Sequence, residues 1–194
     1  MKVALCLSGI VGGSKTIGGG GSHGPDIHPG LGRHFWGHAV LDHYDTDVFI
    51  HSWGEEWSNI IKETYNPTAS KFETQKKWTP SSGEWLKEYN HPLNTLEDLS
   101  NDRRYSHLSA AFGEKTFDNL RFHAERSRSR WYGNKMAMEL KRQYEKDNNF
   151  RYDFVIMGRF DIWFREKFPL DALEKGCFYA SPRTNGDTKR EDYD

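Results

Sequence analysis

The run Phe154-Val155-Ile156-Met157 constrains this chain more than any other segment. It is short, apolar and rich in β-formers, the pattern of a strand buried on both faces of a parallel sheet. It passes directly into Gly158-Arg159-Phe160-Asp161. In an open α/β sheet the carboxyl edge, where such a strand ends, is where ligands bind. Side chains alternate along an extended segment, so Arg159 and Asp161 face the same way if the extension persists. A cation and an anion aimed at one point suit a phosphate and a metal. The same two residues also read as a surface ion pair closing a strand.

The rest of the chain repeats the alternation of strand and helix. Residues 3–7 are a second apolar run, ending at Ser8-Gly9, and a glycine-rich loop follows through Gly30. Residues 31–44 are expected to be helical, with Phe35, Ala39 and Val40 facing inward. Residues 47–51 read as a strand and 54–66 as a short helix carrying Trp57, Ile60 and Ile61. Pro67 and Pro80 bracket an irregular or weakly extended stretch, and 81–113 holds short helical pieces and loops. Residues 115–146 contain no proline. There Tyr132, Met136, Ala137, Leu140 and Tyr144 make one stripe at helical spacing, and Asn148-Asn149 ends the helix. A strand at 153–158, a turn at Phe168-Pro169, a short helix at 170–174 and a strand at 177–180 complete the order. Strands alternating with helices predict a three-layer α/β/α domain around a mainly parallel, Rossmann-like sheet, one domain over residues 1–194.

Composition bounds the possibilities. Hydrophobic residues are only 36% of the chain, but aromatics reach 14%, enough for a core built on large rings. A net charge of −1 argues against nucleic acid as the partner. Cys6 and Cys177 each sit in an apolar stretch and are expected to be buried thiols rather than a disulfide. The start is too short in apolar residues for a secretion signal, and no run approaches the ~18 needed to span a bilayer. The expected location is the cytoplasm. Residues 184–194 are polar and charged and read as a mobile loop or a point of truncation.

Several residue groups carry possible chemistry. Gly9 through Thr16 nearly match a phosphate-binding P-loop, with Ser14 in place of its second glycine. That motif needs a helix directly after its Lys-Thr, and Ile17-Gly18-Gly19-Gly20-Gly21 does not favour one. The glycine loop still allows backbone N–H groups, Ser8 or Lys15 to approach phosphates. His34 and His38 have metal-capable spacing but no zincin glutamate, and they read as surface histidines. His51-Ser52-Trp53 closes the second strand, either beside a ligand crevice or as a capped strand end. Arg121, Arg126, Arg128 and Arg130 form a solvated face or a basic rim. Trp131, Tyr132 and Lys135 lie where the long helix is expected to pass the carboxyl edge.

Taken together these pieces resemble one family. Residues 2–12, the stretch Asp47-Val48-Phe49-Ile50-His51-Ser52-Trp53, and the set Trp131-Tyr132-Gly133-Asn134-Lys135, Tyr152-Asp153-Phe154-Val155-Ile156 and Arg159-Phe160-Asp161 are similar to small GT-A-type nucleotide-sugar glycosyltransferases. Such enzymes build capsule or lipopolysaccharide glycans or are encoded by large viruses and phages, in which case the location is the host cytoplasm. The family usually carries Asp-x-Asp; here Arg159 takes the first place and only Asp161 matches.

The resemblance implies a GT-A-like fold and transfer of a hexose from a UDP-sugar such as UDP-glucose to a glycan or other hydroxyl acceptor. It implies Mn²⁺ or Mg²⁺ on Asp161, and phosphate contacts from Arg159. Ser8, Gly9, Ile10, Val11 and Gly12 would hold the nucleotide, with His51, Trp53, Tyr132 and Lys135 lining the pocket. Asp192 and Asp194 are candidates for the catalytic base by position. A P-loop-like nucleotide kinase and a non-catalytic carbohydrate-binding module are the alternatives.

Overall fold

Val3, Leu5 and Leu7 of the first strand lie in one apolar cluster, while Ala4 and Cys6 lie in another. A strand whose two side-chain rows enter two separate cores must sit in the middle of a three-layer structure. The computed structural model describes residues 1–10, 29–76, 78, 101, 116–162, 164 and 166–179. Its strands are β1 (Lys2–Ile10), β2 (Asp45–Trp53), β3 (Ala69–Glu73) and β4 (Phe154–Gly158), all parallel, in the order β3-β2-β1-β4. The helices are α1 (Pro29–Trp36), α2 (Ser58–Tyr65) and α3 (Thr116–Asn148). A short 3-10 turn at Glu55–Trp57 precedes α2.

The chain moves outward from β1 to β2 to β3, then returns over α3 to place β4 on the other side of β1. Right-handed crossovers put outward and returning helices on opposite faces. So α1 packs beside α2 on one face, while α3 crosses β1, β2 and β3 on the other. The expected α/β architecture with a parallel sheet is present, and no described helix is long and apolar enough to cross a membrane.

On the α1–α2 face, Trp36, Ala39, Val40, Ile50, Ile61 and Tyr65 are buried with the β1 leucines. The expected inward residue Phe35 is only partly covered, and Trp36 takes its place. The reason is tertiary. Gly158 leaves the space that the indole fills, and the Trp36 Nε1–H donates to the Arg159 carbonyl at 2.8 Å. After Trp36 the chain widens into a π turn, Gly37–Leu41, rather than continuing as the expected α-helix to residue 44. Gly37 admits the Arg33–Asp42 ion pair there, because a Cβ would meet both side chains.

On the other face, Ser129, Gly133, Ala137 and Lys141 recur every four residues and are the buried row of α3. Three of the four are small, so the helix axis lies close to the sheet. The expected stripe flanks this row: Tyr132, Met136, Leu140 and Tyr144 are half-buried. The helix ends as expected. Asn149 adopts φ 52, its N–H reaches the Lys146 carbonyl, and the Phe150 N–H reaches the Glu145 carbonyl at 3.1 Å. These paired bonds and a left-handed residue satisfy the last free carbonyls of the helix.

Four expectations need correction. β3 lies within the stretch expected to be irregular or weakly extended; as an edge strand it has no fully buried residue and hence no apolar run. β4 is not buried on both faces, because Val155 is 38% and Met157 46% exposed among the described residues. Residues 177–179 form no strand, and Phe178 is 92% exposed. Accordingly Cys6 is a buried thiol but Cys177 is exposed; both are free.

Candidate functional site

The switch in chain direction between β1 and β4 leaves a crevice outside their carboxyl ends, the usual ligand position in such sheets. Leu7 pairs with Gly158, so Ser8-Gly9 faces Arg159-Phe160 across that crevice. Gly9, within β1 and in register with Ser52, has φ 137, a conformation that strains a side chain, so the strand depends on glycine there. On the β4 side, Phe160 is 2% exposed and packs edge-on against Tyr65. A Cβ on Gly32 would stand 2.5 Å from the Phe160 carbonyl oxygen, so α1 presses directly against this backbone. Together with the Trp36 hydrogen bond, these contacts clamp residues 158–160.

Phe160 is turned inward and its neighbours Arg159 and Asp161 turn outward, although the extension ends at Gly158 and residues 160–161 form a turn rather than the extended segment on which the expected alternation rested. They engage each other. The Arg159 Nε–H donates to Asp161 Oδ1 at 2.6 Å, and an Arg159 Nη2–H donates to Asp161 Oδ2. Two parallel bonds of this kind fix both side chains at the mouth of the crevice. A hard divalent cation takes six or more oxygen ligands. Here both oxygens of the carboxylate already face a guanidinium, and the described residues contain no group of three or more metal-capable side chains. The described residues alone therefore do not assemble the expected Mn²⁺ or Mg²⁺ site.

Beside the crevice, the carboxyl ends of β2 and β3 carry a polar cluster beneath α3. His51 is fully buried, and its Nε2–H donates to Glu73 Oε2 at 3.0 Å. Glu73 also accepts from Tyr132 Oη at 3.1 Å and pairs with Lys71 at 3.1 Å and Lys76 at 3.6 Å. Lys76 Nζ donates to Tyr132 Oη at 2.6 Å. Burial raises the Glu73 pKa, but bonds from His51, Lys71 and Tyr132 outweigh it and hold the carboxyl down at about 2. For His51 the balance is reversed. Glu73 favours the imidazolium, yet burial dominates and lowers the pKa, and Lys71 and Lys76 add repulsion. The neutral Nε2–H tautomer follows, leaving Nδ1 buried without a partner among the described residues.

Gly133 explains why this cluster can form under a helix. A Cβ there would lie 3.2 Å from His51 Nδ1 and 3.2 Å from Ser8 Cβ. The next residue, Asn134, accepts the Ser8 hydroxyl at 2.5 Å on Oδ1, which ties α3 to the end of β1. Tyr132 stacks on Trp53 with ring centroids 5.4 Å apart, and Trp78 and the Lys76 ammonium also pack against its ring.

The expected site residues thus divide. Arg159 and Asp161 reach the surface of the crevice beside Gly9. Ser8, His51 and Trp53 sit at the same edge but are buried, so their side chains support its wall. Tyr132 joins that wall, and Ile10 continues β1 opposite Trp53. Lys135 is not brought in: its ammonium pairs with Glu139 on the outer side of α3, and Trp131 is 69% exposed. His34 and His38 are exposed helix-surface residues. Val11, Gly12, Lys15, Asp192 and Asp194 lie outside the described residues, as does the segment that would distinguish a P-loop.

Sequence reasoning missed Glu73, Asn134 and Gly133. The signal for Glu73 was the alternation of Lys71 and Glu73 against Ser70 and Phe72, a faint mark of a half-exposed strand. Comparison with protein-family models, curated proteins and solved structures finds no match to this chain.

Proposed function

We propose that the chain binds a nucleoside-diphosphate sugar, most simply a UDP-sugar, at the carboxyl edge of its sheet and transfers the hexose to a glycan or other hydroxyl acceptor. The observation carrying this reading is the doubly hydrogen-bonded Arg159–Asp161 pair at the β1–β4 crevice, opposite the positive-φ backbone of Gly9. Sugar transfer requires a stabilised diphosphate leaving group. A guanidinium has five N–H donors, and those not serving Asp161 suit phosphate oxygens. Asp161 in this reading keeps the guanidinium aimed. The buried Ser8–Asn134 bond and the Trp53–Tyr132 stack supply the stiff wall that such positioning needs.

Thermal unfolding in the presence of UDP, UDP-glucose, ATP and free glucose, each with Mn²⁺ or with EDTA, tests this. UDP-glucose should raise the midpoint; a ligand at about 100 times its Kd adds about 2.7 kcal/mol. Arg159→Ala should remove the shift, and Asp161→Ala should abolish sugar transfer. Stabilisation by ATP but not UDP would replace this reading with a kinase. Stabilisation by free sugar without nucleotide would replace it with a binding module. Loss of UDP-glucose binding in EDTA would restore the divalent cation to Asp161.

A further inference from the structure

At the opposite end of α3, beside the amino edge of the sheet, lies a cavity of about 720 Å³. It lies beyond the opposite end of β4 from Arg159, and nothing in the proposed transfer uses it. Met138, Arg142, Glu145 and Asn149 follow one another at three- and four-residue spacing, so one face of the helix forms its wall. The left-handed turn at Asn149 then folds the chain back, and Phe150 and Arg151 close the other side.

The charge in this hollow is unbalanced. Lys141, Arg142, Lys146 and Arg151 are its cations, and Glu145 is its single acid. Glu145 is committed to the buried Lys141 at 2.8 Å and to the Tyr152 N–H at 3.1 Å. Arg142 and Lys146 have no acidic partner among the described residues, and Arg151 acts on Glu145 only through its longer-range charge. Of the nearby acids, Glu139 pairs with Lys135 at 3.6 Å and Asp153 with Lys175 at 2.6 Å, while Asp147 accepts from Gln143 at 2.7 Å and is not part of the lining. The end of the helix dipole adds a partial negative charge, about half a unit, which accounts for less than one of the three surplus cations.

We infer that this cavity is a binding site for a small compound carrying several phosphate groups. Two guanidiniums and an ammonium lining one open hollow match a cluster of phosphate oxygens better than a single carboxylate, which would leave charge unanswered. The volume lies within the range of about 300–1,000 Å³ typical of small-molecule sites. The rings and chains of Phe150 and Met138 supply apolar surface for the scaffold that bears the phosphates. The assignment does not depend on the proposed transfer reaction.

Titration calorimetry of the full chain with inorganic tripolyphosphate tests it, with inorganic phosphate and anionic phospholipid vesicles as parallel probes. Tripolyphosphate should bind more tightly than phosphate, with one site per chain that survives Arg159→Ala. The double variant Arg142→Gln/Arg151→Gln should weaken it at least tenfold, and Lys146→Gln alone at least threefold. A control that removes two exposed cations elsewhere, Lys62→Gln/Lys167→Gln, should leave affinity within twofold, as should Arg159→Ala. Equal losses in the control, loss only in Arg159→Ala, or binding of vesicles without binding of tripolyphosphate would each overturn the assignment.

Discussion

Replacing Gly158 by alanine strikes the point where the fold and the candidate site meet. A Cβ there would lie 2.3 Å from Trp36 Cζ2, 2.6 Å from Cη2 and 3.3 Å from Leu7 Cδ2. Unstrained carbon contacts are about 3.5–4.0 Å, so the indole must move by more than an ångström or the strand must shift. The ring has little freedom. It is 1% exposed, its Nε1–H is held by the Arg159 carbonyl, and Phe164 and Phe168 pack edge-on against it. Overpacking of this kind costs about 1–3 kcal/mol. Displacing the indole adds about 1 kcal/mol for the lost hydrogen bond. Because φ at Gly158 is not positive, alanine returns about 0.4–1 kcal/mol by restricting the unfolded chain. The expected net loss is about 1–3.5 kcal/mol, read by urea titration as a lower midpoint at unchanged slope.

The double variant makes the argument specific. Trp36→Phe removes the ring atoms that face Gly158, so Gly158→Ala in that background should cost less than about 1 kcal/mol. The difference is a coupling of about 1–2 kcal/mol, well above the scatter expected for independent sites. A Gly158→Ala protein within about 0.5 kcal/mol of the parent, or an equal cost with and without Trp36, would refute the reasoning.

Two further outcomes are expected. Burial pushes the Cys6 thiol up to about 12, so a thiol-reactive dye should label Cys177 promptly and Cys6 only after unfolding; equal labelling rates would contradict the burial of β1. Glu73 and His51 should both make the fold acid-sensitive, since each has a folded pKa below its unfolded value and the unfolded chain therefore binds more protons. The His51 contribution starts to fall as pH drops below 6.5, and the Glu73 contribution falls from 4.5 toward about 2. The Glu73 part is on the order of 1–3 kcal/mol. Glu73→Gln should flatten the stability profile between those last two values, and an unchanged profile would dismiss the pairing.

Much of the architecture was legible because it rests on local patterns. The apolar runs of β1, β2 and β4 announce strands, the stripe on α3 announces a helix, and Asn149 marks its end through its tolerance of a left-handed turn. Their alternation requires parallel strands, and the Arg159–Asp161 spacing places two charges close together just after a strand end. β3 escaped notice because Ala69–Glu73 is a half-exposed edge, where burial writes no apolar run. With it went Glu73, whose depressed pKa comes from three side chains distant in sequence.

The amino-acid sequence by itself determined the succession of β1, α1, β2, α2, α3 and β4, the parallel sheet and the closeness of opposite charges just after β4. These follow from hydrophobic period and from the two-residue spacing of Arg159 and Asp161. Only the tertiary structure decided that Trp36 rather than Phe35 faces inward, that Gly158 and Gly133 are spaces for other residues, and that Lys135 stays outside. It also decided that Asp161 turns both oxygens to Arg159, and that surplus cations gather around the far end of α3. Each depends on which surfaces meet across the sheet, a relation between distant residues that no local pattern encodes.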